Sequence, residues 1–269
     1  MTQHQLLAGK RGVIFGALDE SSIAWHVARQ CVAEGATITL TNAPVAMRFG
    51  TIQKLCAELN SEVITADATS IDDLQNLFRR SVEVLGGQLD FVLHSIGMSL
   101  NVRKGKHYTD INHEWMLKTF DISAISFHKM MQVLYKEDVM ADNGSILALS
   151  YIAAQRVFPD YNEMADAKAL LESFARSFGY HFATKKGVRV NTISQSPTRT
   201  TAGSGVKGFE DFFSYAAAMS PLGNASAEDC AKYCVTLFSD YTRSVTMQNL
   251  FHDGGFSAMG VNPRILDQE

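Results

Sequence analysis

A chain of 269 residues, 46% apolar and 19% charged with no long block of one sign, carries enough apolar mass for a substantial core and does not read as a disordered tail. Its net charge of -4, with no basic face, argues against nucleic acid as a partner. No apolar run reaches the roughly 18 to 20 residues that span a bilayer. The N-terminal MTQHQLLAGKRG lacks the apolar core of a secretory signal, and Cys31, Cys56, Cys230 and Cys234 have no further ligands grouped near them. The expectation is a cytoplasmic protein with buried or half-buried thiols and no metal.

The first strand, RGVIFG (11–16), closes at Gly16, and Ser22 and Ile23 open the helical pattern SIAWHVARQCVAEG. A glycine turn followed by a helix N-terminus suits a dinucleotide pyrophosphate. G-x-G-x-x-G is absent, however, and Ser22 also fits a plain helix cap. The second strand, TITLTN (37–42), ends in Asn42, Ala43 and Pro44, without the carboxylate that NAD-selective sites place on the ribose. Arg48 is available to a 2′-phosphate, so NADH against NADPH stays open at this point. A helical pattern, VAMRFGTIQKLCAELN, follows. The third strand, EVITAD (62–67), ends at Asp67 and Ala68; Asp67 either bonds an adenine amino group or caps the helix IDDLQNLFRRSVEVLG that starts near Ile71.

The fourth strand, LDFVLHSIG (89–97), ends in small residues, Ser95 and Gly97, that let backbone approach a ligand closely. His94 beside them reads as a structural histidine on a buried strand. A long helical stretch runs from about His113 to Asp138. The fifth strand, GSILALS (144–150), leads into Tyr151; the sixth, VRVNTIS (188–194), into the polar, glycine-containing SQSPTRTTAGSGVKGF, which reads as a lid. The seventh is VTMQNLFHDGG (245–255). Apolar strands alternating with helices at three- and four-residue periods predict right-handed βαβ units. The fold is therefore expected to be α/β: a single-domain Rossmann-type doubly wound parallel sheet of about seven strands with helices on both faces, residues 1–269, with a lid at about 198–220. Ligands of such sheets lie outside the carboxyl ends of the strands, where five consecutive ends here carry site-like residues.

Within SYIAAQRVFPDYNEMADAKALL (150–171), Asp160 followed by Glu163 resembles a capping box and places a helix start near Tyr161. Seven residues turn about 700°, so Tyr161 and Lys168 share a face roughly 10 Å apart along the axis. A cofactor ribose is suited to bridge that gap. A nearby ammonium favours phenolate and strengthens the phenol as a donor, which is useful where an oxyanion develops. The segment reads as a hydride-transfer site, with Tyr161 at the substrate oxygen and Lys168 on the ribose.

On GALDESSIA, HSIG, SYIAAQRVFPDYNEMADAKALLE, GVRVNTIS, AGSGVKGF and DGGFS, the chain resembles the short-chain dehydrogenase/reductase superfamily. Within it, the chain is similar over nearly its whole length to the bacterial NADH-dependent enoyl-acyl-carrier-protein reductases. Six residues separate Tyr161 from Lys168, as in that family; alcohol-oxidising relatives keep three. The resemblance implies reduction of the trans-2 double bond of enoyl thioesters in the last step of the fatty acid elongation cycle. It implies NADH as cofactor, with NADPH as the alternative, a substrate carried on acyl carrier protein or coenzyme A, and a homotetramer. Tyr151, Tyr161 and Lys168 would be catalytic. Gly16, Ser22, Ile23, Asp67, Ala68, Ser95, Ile96, Gly97, Lys168, Thr198 and Thr200 would hold the cofactor, and Met98, Tyr151, Tyr161 and Phe209 the substrate. Arg103, Lys104, Lys106 and Lys207 are candidates for docking an acidic carrier protein. Ser196 stands where the family commonly has glycine, Thr198 where an aliphatic residue is usual, and Ala43 where a polar one is frequent. The competing readings are another short-chain reductase with a different carbonyl or enoyl substrate, against which the Tyr–Lys spacing argues, and a non-catalytic nicotinamide-nucleotide binder, against which the intact Tyr161 and Lys168 argue.

Overall fold

The computed structural model describes residues 5–48, 51–201, 203 and 208–266. Seven parallel strands form one sheet: β1 (Arg11–Phe15), β2 (Thr37–Thr41), β3 (Glu62–Val63), β4 (Leu89–His94), β5 (Met140–Ser150), β6 (Arg189–Gln195) and β7 (Asn249–His252). Their order is β3-β2-β1-β4-β5-β6-β7, so the winding reverses between β1 and β4. That reversal opens a crevice at the strands' carboxyl ends.

Strands buried on both faces need helices on both sides, and the sequence supplies them. One face packs α3 (Ile71–Leu85), α6 (Ser126–Lys136) and α7 (Glu163–Lys186) over a core that includes Phe15, Phe78 and Phe127. The other packs α1 (Ile23–Ala33) against α9 (Ala227–Phe238) over Trp25, Phe91 and Phe238. Each fully buried ring of this size contributes about 1.5–3 kcal/mol. Gly12 sits opposite Phe91 in the β1–β4 register, and a Cβ there would overlap that ring.

Several boundaries differ from the sequence pattern. The pattern at 45–60 divides into a 3-10 turn at Ala46–Arg48 and α2 (Ile52–Leu59); residues 49 and 50 lie outside the described ones. β3 is shorter than the apolar run, although Ile64 and Ala66 still donate to the carbonyls of Leu40 and Asn42. β5 begins earlier, at Met140, because its pairing with β4 slips between Leu89 and Phe91 and absorbs extra residues near Asn143, whose φ is 60°. β7 is shorter than its run. The stretch from His113 is two helices, α5 (His113–Phe120) and α6, joined by a π-helical segment at Asp121–Ile125. Between β6 and β7 the chain forms α8 (Phe209–Met219) and α9, where the sequence pattern suggests a lid and little more than the helical spacing of Cys230 and Cys234. All four cysteines are unpaired and buried. Among the described residues, no helix is long and apolar enough to cross a membrane.

Candidate active site

The β1 end is shaped by backbone. Gly16 has φ of 91°, and a Cβ there would run into the carbonyl of Ser95 at the end of β4. The two strand ends therefore approach as only glycine allows. Ser22 stands at the N-cap of α1 but does not cap it: its hydroxyl accepts from Leu18 N at 3.2 Å and donates to Asp19 O at 2.7 Å. The first turn of α1, beginning at Ile23, keeps its N–H groups without a side-chain cap, which leaves them to an anion.

Asp67 does not cap α3. Ser70 does, accepting from Asp73 N at 3.2 Å, while the Asp67 carboxylate accepts from the N–H and hydroxyl of Thr69 at 2.9 and 2.8 Å. Asp67 is exposed at the strand end and Ala68 is buried beside it. Asn42 donates to Ala17 O at 3.0 Å, tying the β2 end to the turn after β1. Arg48 ends its 3-10 turn exposed.

The segment after β4 is held from two sides. Met98 N donates to Ser123 Oγ at 3.0 Å, and that hydroxyl donates back to Met98 O at 3.2 Å. Ser123 lies in the π-helical segment, a place where such irregularities commonly serve a site. On the other side Glu163, fully buried, accepts from Ser99, Asn101 and Thr119 at 2.7, 3.1 and 2.9 Å. α4 (Leu100–Arg103) is thereby fastened to α7, and Ile96 packs on the core. A Cβ on Gly97 would stand 3.8 Å from Lys168 Nζ, so the backbone of that segment reaches the lysine. His94 is a core residue: its Nε2 meets Ser126 Oγ at 2.9 Å and its ring lies by Phe15 and Phe127. Burial, with the Lys168 charge adding to it, pushes it down to about 3, so it is neutral at physiological pH.

Tyr161 does not open the helix. It ends a 3-10 turn at Pro159–Tyr161, and α7 starts at Glu163. Asn162 between them has φ of 46°, and no side chain caps α7, so the expected capping box from Asp160 is not formed. The reason is tertiary: the Asn162 side chain donates to Lys106 O at 2.6 Å and fixes a backbone turn that no helix can continue through. Tyr161 and Lys168 accordingly do not share a helix face. Instead the Tyr161 ring leaves the helix and packs on Tyr151, with centroids 5.0 Å apart. Burial pushes both phenols up, Tyr151 with a further contribution from Tyr161, so both keep their protons and act as donors. Burial thus outweighs any pull of the lysine toward phenolate.

Lys168 is buried, and its amine donates to Leu149 O at 2.7 Å. Burial pushes it down to about 8, with Glu172 one turn along α7 acting the other way. Glu172 itself accepts from Ser150 Oγ at 2.6 Å and Gln155 Nε2 at 3.2 Å, tying the β5 end to α7.

Aromatic rings close the tyrosine side. Tyr151 meets Phe158 at 5.4 Å and Phe212 of α8 at 6.3 Å, and Phe158 meets Phe212 at 5.1 Å and Phe256 at 6.3 Å. Phe209 instead packs on Phe213 at 5.9 Å, one helical turn along α8. Phe158, Phe212 and Phe256 are not singled out by the sequence pattern. Their signal is the i,i+3 spacing of Phe209 and Phe212 and the terminal DGGF, neither of which says what a ring faces. A cavity of about 290 Å³ lies behind this wall, bordered by Phe158, Tyr215 and Phe256.

In the segment after β6, Thr198 Oγ1 donates to Ser196 O at 3.0 Å and Thr200 Oγ1 accepts from Gly203 N at 2.9 Å. Ser196 uses its hydroxyl to accept from Ala225 N at 2.9 Å, which anchors this segment to the chain ahead of α9. Arg199 pairs with Glu210 at 2.8 Å and lies 3.8 Å over the Phe213 ring. A cavity of about 300 Å³ opens between this segment and the start of α9, lined also by Phe213 of α8, His26 of α1 and Ser21. Arg103 and Lys104 are exposed at the end of α4, Lys106 pairs with Asp110 at 3.7 Å, and Lys207 lies outside the described residues.

A doubly wound parallel sheet with a tyrosine pair and a buried lysine past its fifth strand is the arrangement of a short-chain dehydrogenase/reductase, and this fold is of that kind. A family model described as Enoyl-(Acyl carrier protein) reductase matches residues 16–257, and the chain belongs to that family. It is 34% identical over 258 residues to "Enoyl-[acyl-carrier-protein] reductase [NADH] 2" of Rhizobium meliloti, covering 94% of this chain and 93% of the relative. To "Enoyl-[acyl-carrier-protein] reductase [NADH] FabI" of Aquifex aeolicus it is 33% identical, with 95% and 94% covered. Among solved structures, the FabI–NADH complex from Alistipes finegoldii superposes with a TM-score of 0.97 at 60% identity, over 99% of this chain and 94% of that one.

Proposed function

We infer that this protein is an NADH-dependent enoyl-acyl-carrier-protein reductase, acting in fatty acid synthesis on the trans-2 double bond of enoyl thioesters. The observation that carries the reading is the packed Tyr151–Tyr161 pair, followed on α7 by the buried Lys168, within a chain that matches this family over residues 16–257. Similarity to a FabI–NADH complex at 60% identity supports the cofactor.

The residues present fit a dinucleotide: the uncapped start of α1 would offer its N–H groups to the pyrophosphate, and the Gly97 backbone leaves room beside the Lys168 amine. Gly16, Ser22, Ile23, Asp67, Ala68, Ser95, Ile96, Gly97, Thr198 and Thr200 lie along the same edge and would hold the cofactor, with Lys168 on its ribose. When bound, NADH supplies the hydride that adds to the β-carbon of the enoyl thioester. The double-bond electrons then move onto the thioester oxygen as an enolate. Tyr161, protonated, donates a hydrogen bond to that oxygen. The oxygen then re-forms the thioester carbonyl as the α-carbon takes a proton from water, giving the saturated thioester. The rings of Tyr151, Phe158 and Phe212 exclude water from the acyl chain. We propose Met98 and Phe209 as further contacts of the acyl chain.

We further propose that residues 198–220 act as a lid over the substrate within a single domain. Arg103, Lys104 and Lys106 are offered as a docking rim for an acidic carrier protein, since Asn162 joins Lys106 to the Tyr161 turn. A homotetramer accords with apolar side chains left exposed on the outer helices, among them Leu117 at 63% and Tyr180 at 59%. Unpaired, buried cysteines accord with the cytoplasm.

The test is loss of reduced-nicotinamide absorbance with crotonyl thioester, run separately with NADH and NADPH. Substrate-dependent oxidation, faster with NADH, is the expected result. A folded protein that binds NADH but oxidises none would instead point to a different reductase substrate or to a nucleotide binder.

A further inference from the structure

One cluster on the cofactor edge has no part in the chemistry above. Asp19 lies in the turn between β1 and α1, and Thr201 lies beyond β6, 182 residues away. Thr201 Oγ1 donates to Asp19 Oδ2 at 2.6 Å. Ser21 donates to Asp19 Oδ1 twice, from its N–H at 2.9 Å and its hydroxyl at 2.6 Å. The Ser21 hydroxyl in turn accepts from Thr201 N at 3.1 Å. Each hydroxyl donates once, so the donors and acceptors close a ring without conflict. The ring crosses from the turn after β1 to the segment after β6.

A carboxylate is an odd group to find here. It repels phosphate, so it does not serve as a pyrophosphate ligand. Instead it spends both oxygens on protein donors. Partial burial draws its pKa upward, but the bonds from Ser21 and Thr201 outweigh that and hold the carboxyl below its ordinary range, so the ionised form is the one the ring favours. Charge-assisted bonds of this kind are stronger than neutral ones.

We propose that Asp19 is a positioning residue for the cofactor: through Ser21 and Thr201 it pins the segment after β6 to the turn after β1, closing the edge over a bound dinucleotide. The proposal rests on the reading of this edge as a dinucleotide site. It gives Ser21 and Thr201 a role distinct from the phosphate-facing helix start at Ile23.

The experiment is titration of NADH fluorescence with the full chain, without substrate, for the unaltered protein and for Asp19→Ala, Thr201→Val, the double variant and Asp19→Asn. Asp19→Ala, which removes three bonds to the carboxylate, and Thr201→Val, which removes one, are each expected to weaken NADH binding about tenfold, because either change severs the link from Asp19 to Thr201. The double variant is expected to be no more than about threefold weaker than either single one, because both break the same ring. Asp19→Asn keeps an acceptor for Ser21 and a polar partner for Thr201 but not the charge, and recovers part of the affinity. Failure of that rescue, unchanged affinity in Asp19→Ala, or two single effects that multiply would overturn the ring's role while leaving the dinucleotide site standing. Absence of NADH binding by the unaltered chain would overturn both. Thr201→Val, close to isosteric at an exposed position, guards against a folding defect in Asp19→Ala.

Discussion

The two halves of the sheet edge are built by different means. From β1 to β4 the surface is made by backbone: Gly16 against the Ser95 carbonyl, the uncapped start of α1, and Gly97 beside the lysine. From β5 to α8 it is made by packed side chains: the buried Lys168 and Glu172, and the half-buried rings of Tyr151, Tyr161 and the phenylalanines around them. The difference follows the chemistry each half would perform. Holding a large anion needs N–H groups and close approach, which any sequence with the right glycines supplies. Donating to a transient oxyanion needs a protonated donor in a dry place, which only packing supplies.

The sharpest way to break this comparison is Tyr161→Phe. It should lower kcat with crotonyl thioester by about 100-fold or more, the cost of removing one donor to an oxyanion, and leave NADH affinity within about twofold. Steady-state rates and a fluorescence titration on the same preparation read both halves at once. Equal losses in rate and affinity would mean the halves are not separable.

The complementary change is Gly16→Ala, where φ of 91° and the Ser95 carbonyl leave no place for a Cβ. Strain of this sort costs about 1–3 kcal/mol. The melting temperature and NADH affinity should both fall, while kcat at saturating NADH stays near that of the unaltered chain. An Ala variant that melts and binds normally would show that the two strand ends have slack.

The subtlest effect joins the halves. Lys168, pushed down to about 8 by burial, carries its charge below that pH and loses it above. The favourable field at the reacting oxygen should therefore weaken as pH rises through about 8, and kcat/KM should fall there. Lys168→Arg is expected to be slower, but its guanidinium stays charged, so the descending limb should move to higher pH. A limb that stays in place in Lys168→Arg belongs to another group.

Much of this is legible in the order of the amino acids. The seven strands, their parallel winding and the edge on which the site lies follow from apolar periodicity and from where the glycines fall. The spacing from Tyr161 to Lys168 singles out this pair for a geometric reason that does not hold. The shared helix face does not exist, because Asn162 turns the backbone to φ of 46° and sends Tyr161 toward Tyr151. Asp160 resembles a cap for the same reason that Ser70 is one, yet Ser70 alone accepts the bond. Local pattern cannot tell the two apart, since the bond from Asn162 to Lys106 O that excludes the first is made 56 residues away.

What repeats locally is written in the chain: which segments are strands, which are helices, and which strand ends carry polar groups and glycines. Periodicity is a property of neighbours in the chain, so it survives without the fold. The protonation of His94 and Lys168, the ring that Tyr161 meets, the choice of Phe212 over Phe209, and the bond that joins Asp19 to Thr201 were settled only by tertiary packing. Each of these depends on how much water is removed around a group and on what arrives from far along the chain. Neither quantity exists until the sheet has closed its two faces.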